Sequence, residues 1–184
     1  GKTVVPEEKK VYLAFNKPRG IVCTAEKREK NNVIDYLSYP VRIYPVGRLD
    51  KDSEGLLLMT NDGAIVNGIM RARNRHEKEY QVEVNKEITP EFLKKMASGV
   101  PILDTVTRPC RIRKTGERSF TIILTQGLNR QIRRMCEALG YRVTKLKRVR
   151  IMNVHLKDLK TGEYRPLTEK ELAELKKQIG EEKR

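Results

Sequence analysis

Tryptophan is absent from these 184 residues, and aromatic side chains of all kinds make up only 5%. A protein reading single strands on a row of stacking platforms would need more of them. Histidine occurs twice, at His76 and His155, too few and too separated to suggest a metal site. The three cysteines, Cys23, Cys110 and Cys136, form no CxxC pair, so neither a zinc knuckle nor a disulfide framework is suggested. Reduced, mostly buried thiols are expected. No run of about 18 apolar residues exists, and the start GKTVVPEEKK lacks the apolar stretch of a signal peptide. A cytoplasmic protein without a membrane partner is therefore expected. No internal repeat, helix-turn-helix or zinc-finger pattern is evident, which weakens any reading as a DNA-binding regulator.

Positive charge is what the chain has in excess. Its 39 Lys and Arg against 24 Asp and Glu give +15, which favours a polyanionic partner through phosphate contacts and counterion release. A generally basic surface would give the same total. Clustering tips the balance toward nucleic acid: Arg71, Arg73, Arg75 and Lys78 form one block, and Arg142, Lys145, Lys147, Arg148 and Arg150 another. With 38% hydrophobic and 34% charged residues, the chain reads as folded and long enough for one well-cored domain or two lobes sharing a sheet.

Periodicity and turn chemistry place the elements. Val11 to Phe15 and Ile21 to Thr24 read as strands around a Lys17-Pro18-Arg19-Gly20 turn. Arg42 to Val46 and Leu56 to Thr60 are further extended stretches. Ala64 to Arg71 is helical, with Ile65, Val66, Ile69 and Met70 sharing a face. Glu79 to Val84 alternates, placing Tyr80, Val82 and Val84 inward. Thr89-Pro90-Glu91 opens a helix that Gly99 closes. Arg108 to Lys114 and Ser119 to Thr125 read as a hairpin. Asn129 to Leu139 is a helix with an Ile132, Met135, Cys136 and Leu139 stripe, and Arg142 to Ile151 returns as a basic strand. Thr168 and Glu171 make a capping box, with Leu167 and Leu172 as its staple, before a last helix on Leu172, Leu175 and Ile179. Strands outnumber helices, so the class is α+β with a mainly antiparallel sheet.

The segment GRLDKDSEGLLLMTNDG, Gly47 to Gly63, sets Asp50 just after Arg48 in a glycine-bounded loop before an apolar strand. A capping or turn aspartate would look similar. So would part of a calcium loop, with Asp50, Asp52, Glu54 and Gly55 at the first, third, fifth and sixth positions, but Asn61 stands where the bidentate Glu is needed. Taken with NKPRG (Asn16 to Gly20), KEYQVEV (Lys78 to Val84) and QGLNRQIRRM (Gln126 to Met135), the segment resembles the RsuA/RluB/RluE/RluF family of ribosomal RNA pseudouridine synthases. The likeness runs from about Val11 to Leu167, and HEKEYQVEV, SGVPILDTVT and LKRVRIMNV are most similar to the RluF branch.

That resemblance implies a pseudouridine synthase fold: a long mixed sheet flanked by helices, with a central cleft holding RNA. It implies a cofactor-free, metal-free isomerase acting on a structured stem-loop of 23S ribosomal RNA, expected to work as a monomer. It also implies a catalytic domain over residues 11–184, preceded by a charged leader or linker remnant over 1–10. Family members usually carry a small S4 domain ahead of the catalytic part, and nothing S4-like precedes Val11.

The chemistry asks for an ionised carboxylate near sugar and base, a cavity for a detached uracil, and contacts that extract the nucleotide from its stack. By resemblance Asp50 is the carboxylate and Arg133 its cationic partner, which would keep it ionised when water is excluded. On residues alone, Arg133 could equally be a solvated arginine paired with Glu137. Asp52 is expected to stabilise the loop. Tyr80 matches the active-site tyrosine that stacks on the flipped base, although an inward strand tyrosine is more often core. Leu146 matches the apolar residue under the base, and Arg48 is a wedge or phosphate ligand. Asn16 and Lys17 are expected to shape the cleft, Lys17 either touching RNA or carrying surface charge. Arg130 and Arg134 suit phosphate contacts. The competing reading is a non-catalytic basic RNA-binding or ribosome-assembly module, which charge fits equally but four ordered motifs do not.

Overall fold

A computed structural model describes residues 9–181; apart from Lys9 and Lys10, the expected leader lies outside the described residues. The chain runs β1 (Tyr12–Lys17), α1 (Val33–Leu37), β2 (Tyr44–Pro45), β3 (Glu54–Thr60), α2 (Gly63–Arg71), β4 (Lys78–Val84), α3 (Pro90–Ser98), β5 (Pro101–Ile102), β6 (Thr105–Val106), β7 (Arg111–Gly116), β8 (Ser119–Leu124), α4 (Gln131–Ala138), β9 (Val143–Ile151), β10 (Val154–His155), β11 (Tyr164–Pro166) and α5 (Glu169–Glu181). Nine strands share one sheet, in the order β11-β1-β3-β9-β4-β8-β7, with β2 on β3 and β10 on β9. Its pairings are antiparallel except that of β3 with β9. This is the α+β, mainly antiparallel mixed sheet that the strand patterns predict.

Burial explains the strand sequences. In β3, EGLLLMT is apolar without alternation because both faces are covered. Leu56 and Leu58 pack with Ile65 and Ile69 of α2 and Leu175 and Ile179 of α5, whereas Leu57 and Met59 pack with Leu13, Phe15 and Val33. In β4 the alternation is real: Val82 and Val84 join Phe120, Ile122 and Leu146 under Phe92 and Met96 of α3 and Ile132 and Met135 of α4. The sheet therefore carries separately cored lobes, and β3, β9 and β4 form the seam between them.

Local chemistry sets the helix ends. Thr89 accepts from the Phe92 N–H at 3.1 Å to open α3. The capping box on α5 is formed in both directions, Glu171 N–H to Thr168 Oγ1 at 3.1 Å and Thr168 N–H to Glu171 Oε1 at 2.9 Å. Asp62 caps α2 through the Ala64 and Ile65 amides. Two expectations fail. Ile21 to Thr24 is not a strand but makes a single bridge, Val22 to Asn32, because the Lys17 ammonium gathers the Pro18 and Ile21 carbonyls and folds the segment back. The extended stretch Arg42 to Val46 contributes only Tyr44 and Pro45 to the sheet, with the Val46 N–H adding one further bond to the Leu58 carbonyl at 2.8 Å.

Candidate active site

The loop bearing Asp50 enters β3 where that strand meets β9. Parallel pairing there sets Gly55 opposite Arg148. A Cβ on Gly55 would lie 2.2 Å from the Arg148 carbonyl oxygen, and Gly55 holds φ at +111°, so only glycine allows this approach. Several anchors fix the loop backbone. The Gly20 N–H donates to the Lys51 carbonyl at 2.7 Å, and the Cys23 thiol to that of Leu49 at 3.2 Å. From α4, one Arg133 terminal nitrogen donates to the Asp52 carbonyl at 3.0 Å and to Ser53 Oγ at 3.1 Å.

This loop borders a cavity of about 880 Å³ whose wall holds Arg48, Asp50, Tyr80, Arg130 and Leu146 together. Val46, Leu58, Ile69, Ile132 and Ile151 supply much apolar lining, the surroundings a planar base requires. Leu146 is buried, Tyr80 half-buried, and Arg48 exposed. The Asp50 side chain is 36% exposed, neither sealed off nor turned away from the cavity.

The charges are arranged differently from the expected Arg133–Asp50 pair. Arg130 reaches Asp50, Nη1 to Oδ2 at 3.5 Å, and also clamps Asp52 with both terminal nitrogens at 3.0 and 2.8 Å. Arg133 has its carboxylate contact with Asp52, at 3.6 Å. The cause is local: α4 starts at Gln131 rather than Asn129, because Arg130 sits in the left-handed region with φ +48°. Arg130 thereby projects toward the loop, and Arg133, one turn later, passes beneath it to the loop backbone. The Arg130 hydrogen bonds hold the Asp52 carboxyl down at about 2, while burial pulls the Arg133 guanidinium below its usual range. Asp52 is thus the loop-stabilising partner it was expected to be.

Two residues expected to shape the cleft, Lys17 and Asn16, and one expected at phosphate, Arg134, lie off the cavity wall. Lys17 is fully buried, and its ammonium donates to the carbonyls of Pro18 at 2.9 Å, Ile21 at 2.8 Å and Lys51 at 3.4 Å. It braces the Asp50 loop from behind, where it can touch no RNA, and burial lowers its pKa. Asn16 is 1% exposed and ties β1 to the Leu159 carbonyl at 2.9 Å. Arg134 turns back onto its own loop, donating to the Asn129 backbone and side-chain oxygens at 3.0 and 2.8 Å.

A model of the family described as RNA pseudouridylate synthase matches residues 11–138, more than half of the chain. The chain belongs to that family. Among curated relatives, the dual-specificity RNA pseudouridine synthase RluF of Salmonella typhi is 54% identical over 181 residues, covering 97% of this chain and 63% of the relative. The ribosomal large subunit pseudouridine synthase B of Bacillus subtilis is 36% identical over 180 residues, covering 94% of this chain and 74% of the relative. A crystal structure of a pseudouridylate synthase superimposes with a TM-score of 0.84 at 31% identity, covering 91% of this chain and 74% of that one. The fold is therefore that of the pseudouridine synthases, and the chain spans just under two thirds of the length of its RluF relative.

In this RNA pseudouridylate synthase family member, the cavity wall also holds Lys78 and Arg148, which the sequence places only within basic clusters. The signal was spacing, because Lys78 lies two residues before Tyr80 on β4 and Arg148 two after Leu146 on β9, each on the same strand face.

Proposed function

We propose that this protein isomerises uridine to pseudouridine in ribosomal RNA without a cofactor, Asp50 being the reacting carboxylate. The observation that carries the reading is the convergence of Asp50, Tyr80, Leu146, Arg48 and Arg130 on one cavity of a pseudouridylate synthase family fold. Tyr80 stacks on the everted uracil and Leu146 supports it from β9. Arg48, exposed at the rim, takes the place the base leaves or a phosphate beside it. Arg130 keeps cationic charge next to Asp50, which favours the ionised form once RNA excludes water. Arg133 acts one step back, as a positioning residue that holds the Asp52–Ser53 backbone.

The substrate is a structured stem-loop of 23S ribosomal RNA. Two things support that reading: identity along nearly the whole chain to a large-subunit pseudouridine synthase, and the +15 charge. The protein works as a monomer, in the cytoplasm where its substrate is. Residues 11–184 serve as its catalytic domain.

The test is tritium release from RNA labelled at uridine C5. Wild-type protein releases tritium, and Asp50→Asn releases none while retaining RNA affinity. Turnover by Asp50→Asn would remove Asp50 from its role. RNA affinity that stayed flat as salt is raised would argue against phosphate contacts.

A further inference from the structure

Arg148 faces the cavity shared by Asp50, Tyr80 and Leu146, and nothing proposed so far gives it a task. It is 7% exposed. Its Nε donates to the Leu56 carbonyl at 2.9 Å, and its backbone is clamped against Gly55, so the guanidinium is held in one orientation. Among the described residues no carboxylate lies within 4.0 Å of it, and neither terminal nitrogen has a protein acceptor. Sealed donors without a partner occur elsewhere among the described residues, on Arg133 Nε and Arg165 Nε. The Arg148 terminal N–H groups therefore open onto the cavity.

A second cation strengthens the field. Lys78 stands on the same wall, its ammonium tethered to the Arg73 carbonyl and, at 3.3 Å, to that of Thr125. Burial first, then the nearby Arg148 charge, bring its pKa down to about 8. An unpaired buried guanidinium costs stability. Such an arrangement makes sense where negative charge arrives only with the substrate or during the reaction.

We propose that Arg148 is a catalytic residue that donates its terminal N–H groups to a carbonyl oxygen of the everted uracil and stabilises the negative charge the ring carries while it is detached. The inference rests on the uridine isomerisation proposed above. In that reaction the C1′–N1 bond breaks with its electron pair going to the base, spreading charge over N1 and the two carbonyl oxygens. The ring then turns and C5 bonds to C1′. One proton leaves C5 for solvent and one is taken up at N1, so atoms and charge balance. A guanidinium aimed at a ring oxygen gains most while the base is unattached, which makes its contribution specific to the barrier. The alternative use of the same cation, a phosphate contact, would strengthen ground-state binding and leave the chemical step alone.

Single-turnover tritium release, measured with enzyme in excess on a stem-loop substrate, separates these. Arg148→Gln is expected to slow the chemical step about 100- to 1,000-fold, the usual cost of removing a charge-stabilising donor. Its RNA affinity and salt dependence stay near wild type, and Arg148→Lys recovers part of the rate. An unchanged rate in Arg148→Gln, or a loss carried wholly by affinity and salt slope, overturns the proposal. Wild-type protein that releases no tritium removes the isomerisation itself, and this role with it. Should the variants fail to fold, as thermal melting would reveal, the wild-type enzyme still decides. With 2-thiouridine or 4-thiouridine at the target position, sulfur is the poorer acceptor, and one substitution slows release without weakening binding. Equal rates for both thio substrates and uridine would overturn the role.

Discussion

Arg130 grips Asp52 through both terminal nitrogens, at 3.0 and 2.8 Å, and the same guanidinium lies 3.5 Å from Asp50. Asp52 therefore fixes the cation that Asp50 depends on, and it also meets Arg133 at 3.6 Å. Replacing Asp52 by Asn keeps the shape but frees both arginines. Turnover is expected to fall by up to about 100-fold, since small misplacements of reacting groups are costly. Stability should fall by only about 1 kcal/mol, as expected for a half-exposed ion pair. Steady-state kinetics and a urea melt of Asp52→Asn check both numbers. Wild-type turnover in this variant would show that Arg130 needs no anchor.

Elements whose signals are local were legible in the sequence. The β4 alternation, the Thr89 cap and the Thr168–Glu171 box each depend on residues within one or two turns of each other, and all are present. Gathering Asp50, Tyr80 and Leu146 was legible only through family resemblance, because it depends on β3, β4 and β9 lying side by side. What stayed hidden was side-chain reach. A helical wheel cannot tell whether Arg130 or Arg133 meets a carboxylate some 80 positions away, and a left-handed residue at the helix start decided it. Lys17 next to a Pro-Arg-Gly turn reads as an RNA contact or a surface charge, yet three carbonyls of the folded loop enclose it.

That enclosure predicts how Lys17 behaves. Lys17→Met retains the stem and removes the ammonium, leaving buried carbonyls without a donor. A loss of about 2–4 kcal/mol is expected from stranded acceptors of this kind. RNA affinity should change little, because no phosphate is within reach of a side chain sealed behind the loop. Denaturant titration and filter binding on the same variant test the two halves. A large loss of affinity with unchanged stability would restore Lys17 to the RNA surface.

Gly55 is the point at which the Asp50 loop and β9 come closest. Gly55→Ala sets a methyl group 2.2 Å from one backbone atom of Arg148 and 2.6 Å from another. With a positive φ as well, the expected cost is about 3–5 kcal/mol. Gly63→Ala, where nothing lies within 4 Å, is the matched control and should shift stability by less than about 1 kcal/mol. Thermal melts of the pair provide the comparison. Similar melting points would mean that β3 and β9 do not meet as described.

Glu171 gives the fold a dependence on acid. Arg165 holds it with two nitrogens at 2.7 and 2.9 Å, and the Thr168 amide adds a third hydrogen bond at 2.9 Å. Its side chain is 9% exposed. The Arg165 hydrogen bonds above all bring its pKa from 4.5 down to about 2. A depressed carboxyl contributes stability above its unfolded pKa and loses it as pH falls through the folded one. The window here runs from pH 4.5 down to about 2. At neutral pH, Glu171→Gln should be less stable than wild type by on the order of 3 kcal/mol, a value set by the difference between the two pKa values. As pH falls through that window, the wild-type carboxyl becomes protonated and the two proteins should converge. Parallel stability curves for wild type and Glu171→Gln would mean that the carboxylate does not anchor α5 to β11.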